Sequence, residues 1–121
     1  MVFKDKILYA KAFDFAVRIT RTARALMVER REFVLSKQIL RSGTSIGANI
    51  AEANGGISKA DFSSKLSIAY KESLETKYWL DLLKETDLLS VEDHAALHAH
   101  ADELSKILYA IIRTTRLSDT A

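Results

Sequence analysis

At 121 residues, with 48% apolar and 28% charged side chains, the chain has the make-up of one folded domain rather than a disordered segment. It has no cysteine, which excludes disulfides, thiolate metal sites and cysteine nucleophiles, and no proline, which suits long uninterrupted helices. The net charge of +2 is unevenly placed: residues 1–41 carry ten Lys/Arg against four Asp/Glu, and residues 42–121 carry eight against twelve, which marks either a surface for an anionic partner or complementary halves of one fold.

The first predicted element runs from Lys4 to Val28. Leu8, Ala12, Phe15, Ile19, Ala23 and Leu26 recur at spacings of three and four, one buried helical face. A second stripe of Phe13, Val17, Thr20 and Met27, interrupted by Arg24, lies on the other side. Two apolar faces on one helix exceed what a single core takes up, so self-association is expected, with Phe13, Val17 and Met27 at the interface.

The second element spans Glu32 to Ala53 around Leu35, Ile39, Ile46, Ile50 and Ala53. The turn before it falls in Val28–Phe33, where no Gly or Pro places it. Asn54-Gly55-Gly56 ends the helix, with glycine expected in the left-handed conformation of a C-cap. The third element, Ser58 to Thr86, opens with Ser58 and Asp61 in a capping-box arrangement and buries Phe62, Leu66, Ala69, Ser73, Leu80 and Leu83. Ser90 and Asp93 open the fourth, in which Leu97, Ala101, Leu104, Leu108 and Ile111 form a heptad seam.

Four helices joined by short turns run antiparallel, so the expected fold is all-α, an antiparallel up-and-down four-helix bundle over residues 1–121 as a single domain. No apolar run is long enough to cross a bilayer, and the first residues lack a signal-peptide core. A cytoplasmic protein with no membrane partner is expected.

Beside the core line of the second helix stand Gln38, Ser42, Ser45, Asn49 and Glu52, spaced four, three, four and three. The third helix carries Glu72 and Glu75 beside Tyr78 and Trp79. Polar groups near a core must find partners, at a cost of about 1–3 kcal/mol when they do not, so a polar network between helices two and three is predicted. Trp79 lies on the side of Ile68, Glu72 and Glu75 and is read as a helix-edge or subunit contact.

The run Gln38-Ile39-Leu40-Arg41-Ser42-Gly43-Thr44-Ser45-Ile46-Gly47-Ala48-Asn49-Ile50-Ala51-Glu52-Ala53 resembles the signature of the bacterial four-helix bundle family of large-subunit ribosomal RNA intervening-sequence proteins. Ser58-Lys59-Ala60-Asp61-Phe62 and Glu75-Thr76-Lys77-Tyr78-Trp79-Leu80 are similar to its continuation. Ala53 stands where many relatives have Gly, and the Pro that often precedes helix two is missing. The resemblance implies a small bundle forming a ring-like homopentamer. Some relatives are encoded within ribosomal RNA genes, and a related retroelement accessory protein binds nucleic acid and a reverse transcriptase. A nucleic-acid-processing protein is therefore an implied partner.

Nucleic acid is the leading ligand class. Lys4, Lys11, Arg18, Arg21 and Arg24 on the first helix, then Arg30, Arg31, Lys37 and Arg41, form a basic set that can contact phosphates of structured RNA or DNA. Asp14, Glu29 and Glu32 interrupt it, and a solvated helix face with internal ion pairs accounts for the same residues. The alternative function is a protein–protein adaptor docking an acidic partner. His94, His98 and Asp102, four apart, are the metal-ligand spacing worth noting, but the Glu-x-x-His pairs of di-iron bundles are missing and the plainer reading is exposed histidines. Neither metal nor cofactor is expected. Glu52, Glu72 and Glu75 are the candidate acid–base groups of a remoter enzyme reading. Without a nucleophile elbow, phosphate loop or dinucleotide fingerprint, the expectation is a protein that is not an enzyme.

Overall fold

The computed structural model describes residues 5–120, with side chains through residue 115. It contains α1 (Lys6–Arg30), α2 (Leu35–Asn54), α3 (Lys59–Glu85) and α4 (Val91–Thr120). Each helix packs on its two neighbours in the order α1–α2–α3–α4–α1, and among the described residues the backbones of the diagonal pairs do not approach closely. This is the antiparallel four-helix bundle that the periodicity and short turns demand. Among the described residues, no helix is long and apolar enough to cross a membrane.

Local chemistry sets the helix ends. Asp5 caps α1 by accepting the Leu8 N–H at 2.8 Å, and its own N–H donates to Asn54 Oδ1 at 3.0 Å, tying the start of α1 to the end of α2. Ser58 Oγ accepts from Asp61 N at 3.0 Å, and Ser90 Oγ accepts from Asp93 N at 3.0 Å. Both serine starts stand where the sequence places them.

Two ends differ from expectation. The second helix begins at Leu35 rather than Glu32, because Glu32 turns back to cap it. Its carboxylate accepts the N–H groups of Val34, Leu35 and Ser36 at 3.1, 2.9 and 2.7 Å. The chain reaches that geometry through Arg31, whose φ of 51° closes α1 in the left-handed region while its N–H returns to the Leu26 carbonyl. Gly55, in contrast, sits at φ −95°, and no glycine has a positive φ. Gly56 is needed for space instead: a Cβ there would stand 2.9 Å from the Ala53 carbonyl oxygen and 2.9 Å from Asp61 Oδ2.

All six α1 positions predicted as core are buried, as are the six of α3. In α2 the buried line runs through Ser36, Ile39, Ser42, Gly43, Ile46, Ile50 and Ala53, and Leu35 is only half-buried. In α4 Ile112 replaces Ile111 as the buried residue. The face there follows the ordinary 3.6-residue turn rather than a strict heptad, so the stripe drifts by one position over four turns.

Candidate nucleic-acid interface

The predicted polar stripe lies along the α2–α3 seam. Ser42 and Thr76 are fully buried, their hydroxyls bonded at 3.0 Å, and Thr76 also reaches the Glu72 carbonyl at 2.8 Å. Further out, Arg41 bonds Glu72 at 3.3 Å, Gln38 at 3.4 Å and also Glu75, which in turn accepts the Trp79 indole N–H at 2.9 Å. Lys65 and Glu52 pair at 3.1 Å. Asn49 turns back on its own helix, donating to the Ser45 carbonyl at 2.8 Å. Arg41 and Thr76 were missed as members of this seam. A partial signal exists in the sequence: Arg41 is one turn from Gln38 and Ser45, and a buried Ser42 needs a polar partner, although its own helix could supply one. A second buried pair, Ser73 with Ser105 at 2.7 Å, joins α3 to α4. Among the described residues, no buried side-chain polar atom lacks a partner.

The structure divides the basic set. Lys11 pairs with Glu103 at 3.0 Å. Arg18 donates to His100 Nδ1 at 3.0 Å, and His100 Nε2 lies 3.2 Å from the Lys11 carbonyl, so the imidazole bridges α4 to two turns of α1. Its ring packs edge-on against Phe15, with centroids 5.0 Å apart. Arg30 donates to the Asp87 carbonyl at 3.2 Å, closing the two turns at that end of the bundle onto each other. Arg41 belongs to the α2–α3 seam. Arg21, Arg24, Arg31 and Lys37 are exposed, and among the described residues none has an ion-pair or hydrogen-bond partner for its side chain. Lys4 lies outside the described residues.

Glu32, although it interrupts this basic run in sequence, is already spoken for. Its partial burial raises the pKa, but the hydrogen bonds from Leu35, Ser36 and Val34 outweigh that and hold the carboxyl below the usual glutamate range. The anion also sits at the positive end of α2.

Apolar surface remains on two opposite sides. Phe13, 58% exposed, and Val17 line a cleft of about 630 Å³ with Tyr9, Ala10 and Ala51 on the α1–α2 side. Tyr70, Leu74, Tyr109 and Ile112 line one of about 540 Å³ between α3 and α4. Met27 and Trp79, expected at the same interface as Phe13 and Val17, line neither cleft: both are half-buried, Met27 farther along α1 and Trp79 on α3, edge-to-face with Tyr78.

On α4, His94 and His98 turn toward Asp81 of α3, at 2.7 and 3.8 Å, rather than toward Asp102. Asp102 is held below the usual carboxylate range by hydrogen bonds from Lys106 first and Lys77 second, at 3.0 and 3.1 Å. The His94–His98–Asp102 spacing noted in the sequence is therefore not brought together as a trio. The glutamates do not converge on one point either: Glu52 pairs with Lys65, while Glu72 and Glu75 share Arg41.

The sequence model of the 23S rRNA-intervening sequence protein family matches residues 4–110. Among solved structures, the chain is similar to a protein of unknown function from the S23 ribosomal protein family of Bacteroides thetaiotaomicron VPI-5482. The two share 49% sequence identity with a TM-score of 0.88, over 90% of this chain and 97% of that one. No curated protein matches.

Proposed function

This chain belongs to the 23S rRNA-intervening sequence protein family, and from that premise we propose that it is a non-enzymatic, self-associating bundle that binds structured nucleic acid through the basic surface of α1 and the start of α2. The observation that carries the reading is the quartet Arg21, Arg24, Arg31 and Lys37, exposed and without side-chain partners among the described residues. Lys11 and Arg41 are already paired with carboxylates, and Arg18 and Arg30 already spend donors inside the bundle, whereas these four keep both charge and donors for a phosphate. Contacts of this kind follow the backbone and shape of the ligand and weaken steeply with salt through counterion release.

Self-association is supported by the two apolar clefts. In the ring order of the helices the α1–α2 and α3–α4 seams are opposite each other. Distinct patches on opposite sides suit head-to-tail contact between copies, which closes into a ring when the rotation permits. A ring would repeat the basic quartet around one assembly and raise avidity without a new contact.

Titration of the purified chain against structured RNA and duplex DNA over a range of salt tests the binding. The Arg21→Glu/Arg24→Glu variant is expected to weaken it across sequences and to lower the salt slope by about 2. Absence of binding by the unaltered chain at low ionic strength would sink the reading. Light scattering on a sizing column tests assembly separately, and a Phe13→Glu/Val17→Glu variant is expected to run as a monomer.

A further inference from the structure

The last turn of α1 and the connection to α2 expose three large apolar residues: Val28 at 79%, Phe33 at 51% and Val34 at 70%. None belongs to the buried core. A helix–helix turn in a soluble protein is ordinarily polar, so three such residues in seven positions require a use. The turn is also rigidly built. Arg31 closes α1 at φ 51°, and the three backbone hydrogen bonds to Glu32 pin the chain on both sides of Phe33. Those bonds occupy the carboxylate next to Phe33 in the chain. Exposed cations without partners flank this stretch in the chain: Arg31 is two residues before Phe33, Arg24 is one helical turn before Val28, and Lys37 lies four residues beyond Phe33 in the first turn of α2.

An aromatic ring held on a rigid turn among unpaired cations is suited to stacking on a base while the cations take the flanking phosphates. We infer that Phe33 is a base-stacking residue and that the α1–α2 turn holds an unpaired nucleotide, with Arg31 and Lys37 on its phosphates. This rests on the nucleic-acid reading above and narrows it from structured nucleic acid to nucleic acid carrying an unpaired loop or end. A base paired within a duplex keeps its face stacked on its neighbours and offers Phe33 nothing. A lipid surface fits less well, because Glu29 is exposed beside Val28 and would have to approach the anionic headgroups with it.

Fluorescence anisotropy of the full chain with two labelled RNAs, a stem with an unpaired loop and a blunt duplex of equal length, tests the assignment. Phe33→Ala is expected to weaken stem-loop binding about 5- to 100-fold and duplex binding less than about twofold. Phe33→Tyr keeps the stacking face and is expected to bind like the unaltered chain. Unchanged stem-loop binding by Phe33→Ala overturns the inference while leaving the basic surface intact as the binding site, and so does an equal loss on both RNAs. Loss of co-sedimentation with phosphatidylserine vesicles, with RNA binding unaltered, overturns it in favour of a lipid contact. If the unaltered chain binds neither RNA at low salt, the broader reading has failed and this one falls with it.

Discussion

The α2–α3 and α1–α4 seams close the same bundle with different materials. Between α2 and α3 the buried contact is made by small hydroxyls, Ser42 against Thr76, with Arg41, Glu72 and Glu75 sealing the outer edge. Between α1 and α4 the contact is the thinnest of the four, spanned by the His100 ring, the Arg18 guanidinium and the Lys11–Glu103 pair. Small residues let backbones approach and bury what they carry. Long polar ones reach across a wider gap and stay partly wet, where pairs contribute little. The expectation is that α2 is the structural centre of the fold and that the α1–α4 side tolerates change.

The strongest test is at Gly43, on the α1-facing side of α2. A Cβ there would stand 2.7 Å from Ile19 Cγ2 and 3.2 Å from its Cβ, so the buried Ile19 side chain would have to shift. Gly43→Val is expected to cost at least about 1–3 kcal/mol by overpacking, measured by chemical denaturation. A neutral result would mean that α1 and α2 are not closely apposed. Next, Thr76→Val keeps the shape but removes the hydroxyl opposite Ser42, and about 1–2 kcal/mol should be lost. If it matches the effect of an exposed substitution, the hydroxyl pair is not what binds α2 to α3.

Glu32→Ala removes the cap of α2 and is expected to cost about 1 kcal/mol, within the range of other N-caps. The effect has a sign in pH. Because the folded carboxyl titrates below its unfolded value, its contribution is complete above the unfolded pKa and disappears as pH falls through the folded one. The stability difference between the unaltered chain and Glu32→Ala should therefore be level at neutral pH and shrink below about pH 4. The smallest effect is expected on the thin seam, where Lys11→Ala should change stability by less than about 0.5–1 kcal/mol. A larger loss there would erase the contrast between the two seams.

What was legible in the sequence follows the range of the interactions. The α1 core from Leu8 to Leu26 and the serine starts at Ser58 and Ser90 are set by neighbours three or four residues away, and they stand as read. The Glu32 cap was not legible, because Glu is an uncommon residue to hold the first N–H groups of a helix and nothing nearby fixed the turn. The left-handed positions were sought at Gly55 and Gly56 and occur at Arg31 and Asp87, where the sequence carries no glycine. The partition of the basic residues was the least accessible. Lys11 and Glu103 are 92 residues apart, and only the packing of α4 on α1 brings them together. Arg41 looked like part of a phosphate-binding row until α3 placed two glutamates beside it.

Arg31 holds its left-handed φ at an energetic disadvantage. An L-residue other than glycine pays on the order of 1–2 kcal/mol to sit in that region. Arg31→Gly would be the ordinary solution for closing α1, and a design guided by stability alone would adopt it. The residue present instead carries a guanidinium at the tip of the turn, where the proposed nucleic-acid contact would use it. Thermostabilising the scaffold and preserving whatever that guanidinium does are therefore competing aims at this one position, and a screen for higher melting temperature alone would be expected to select against Arg31.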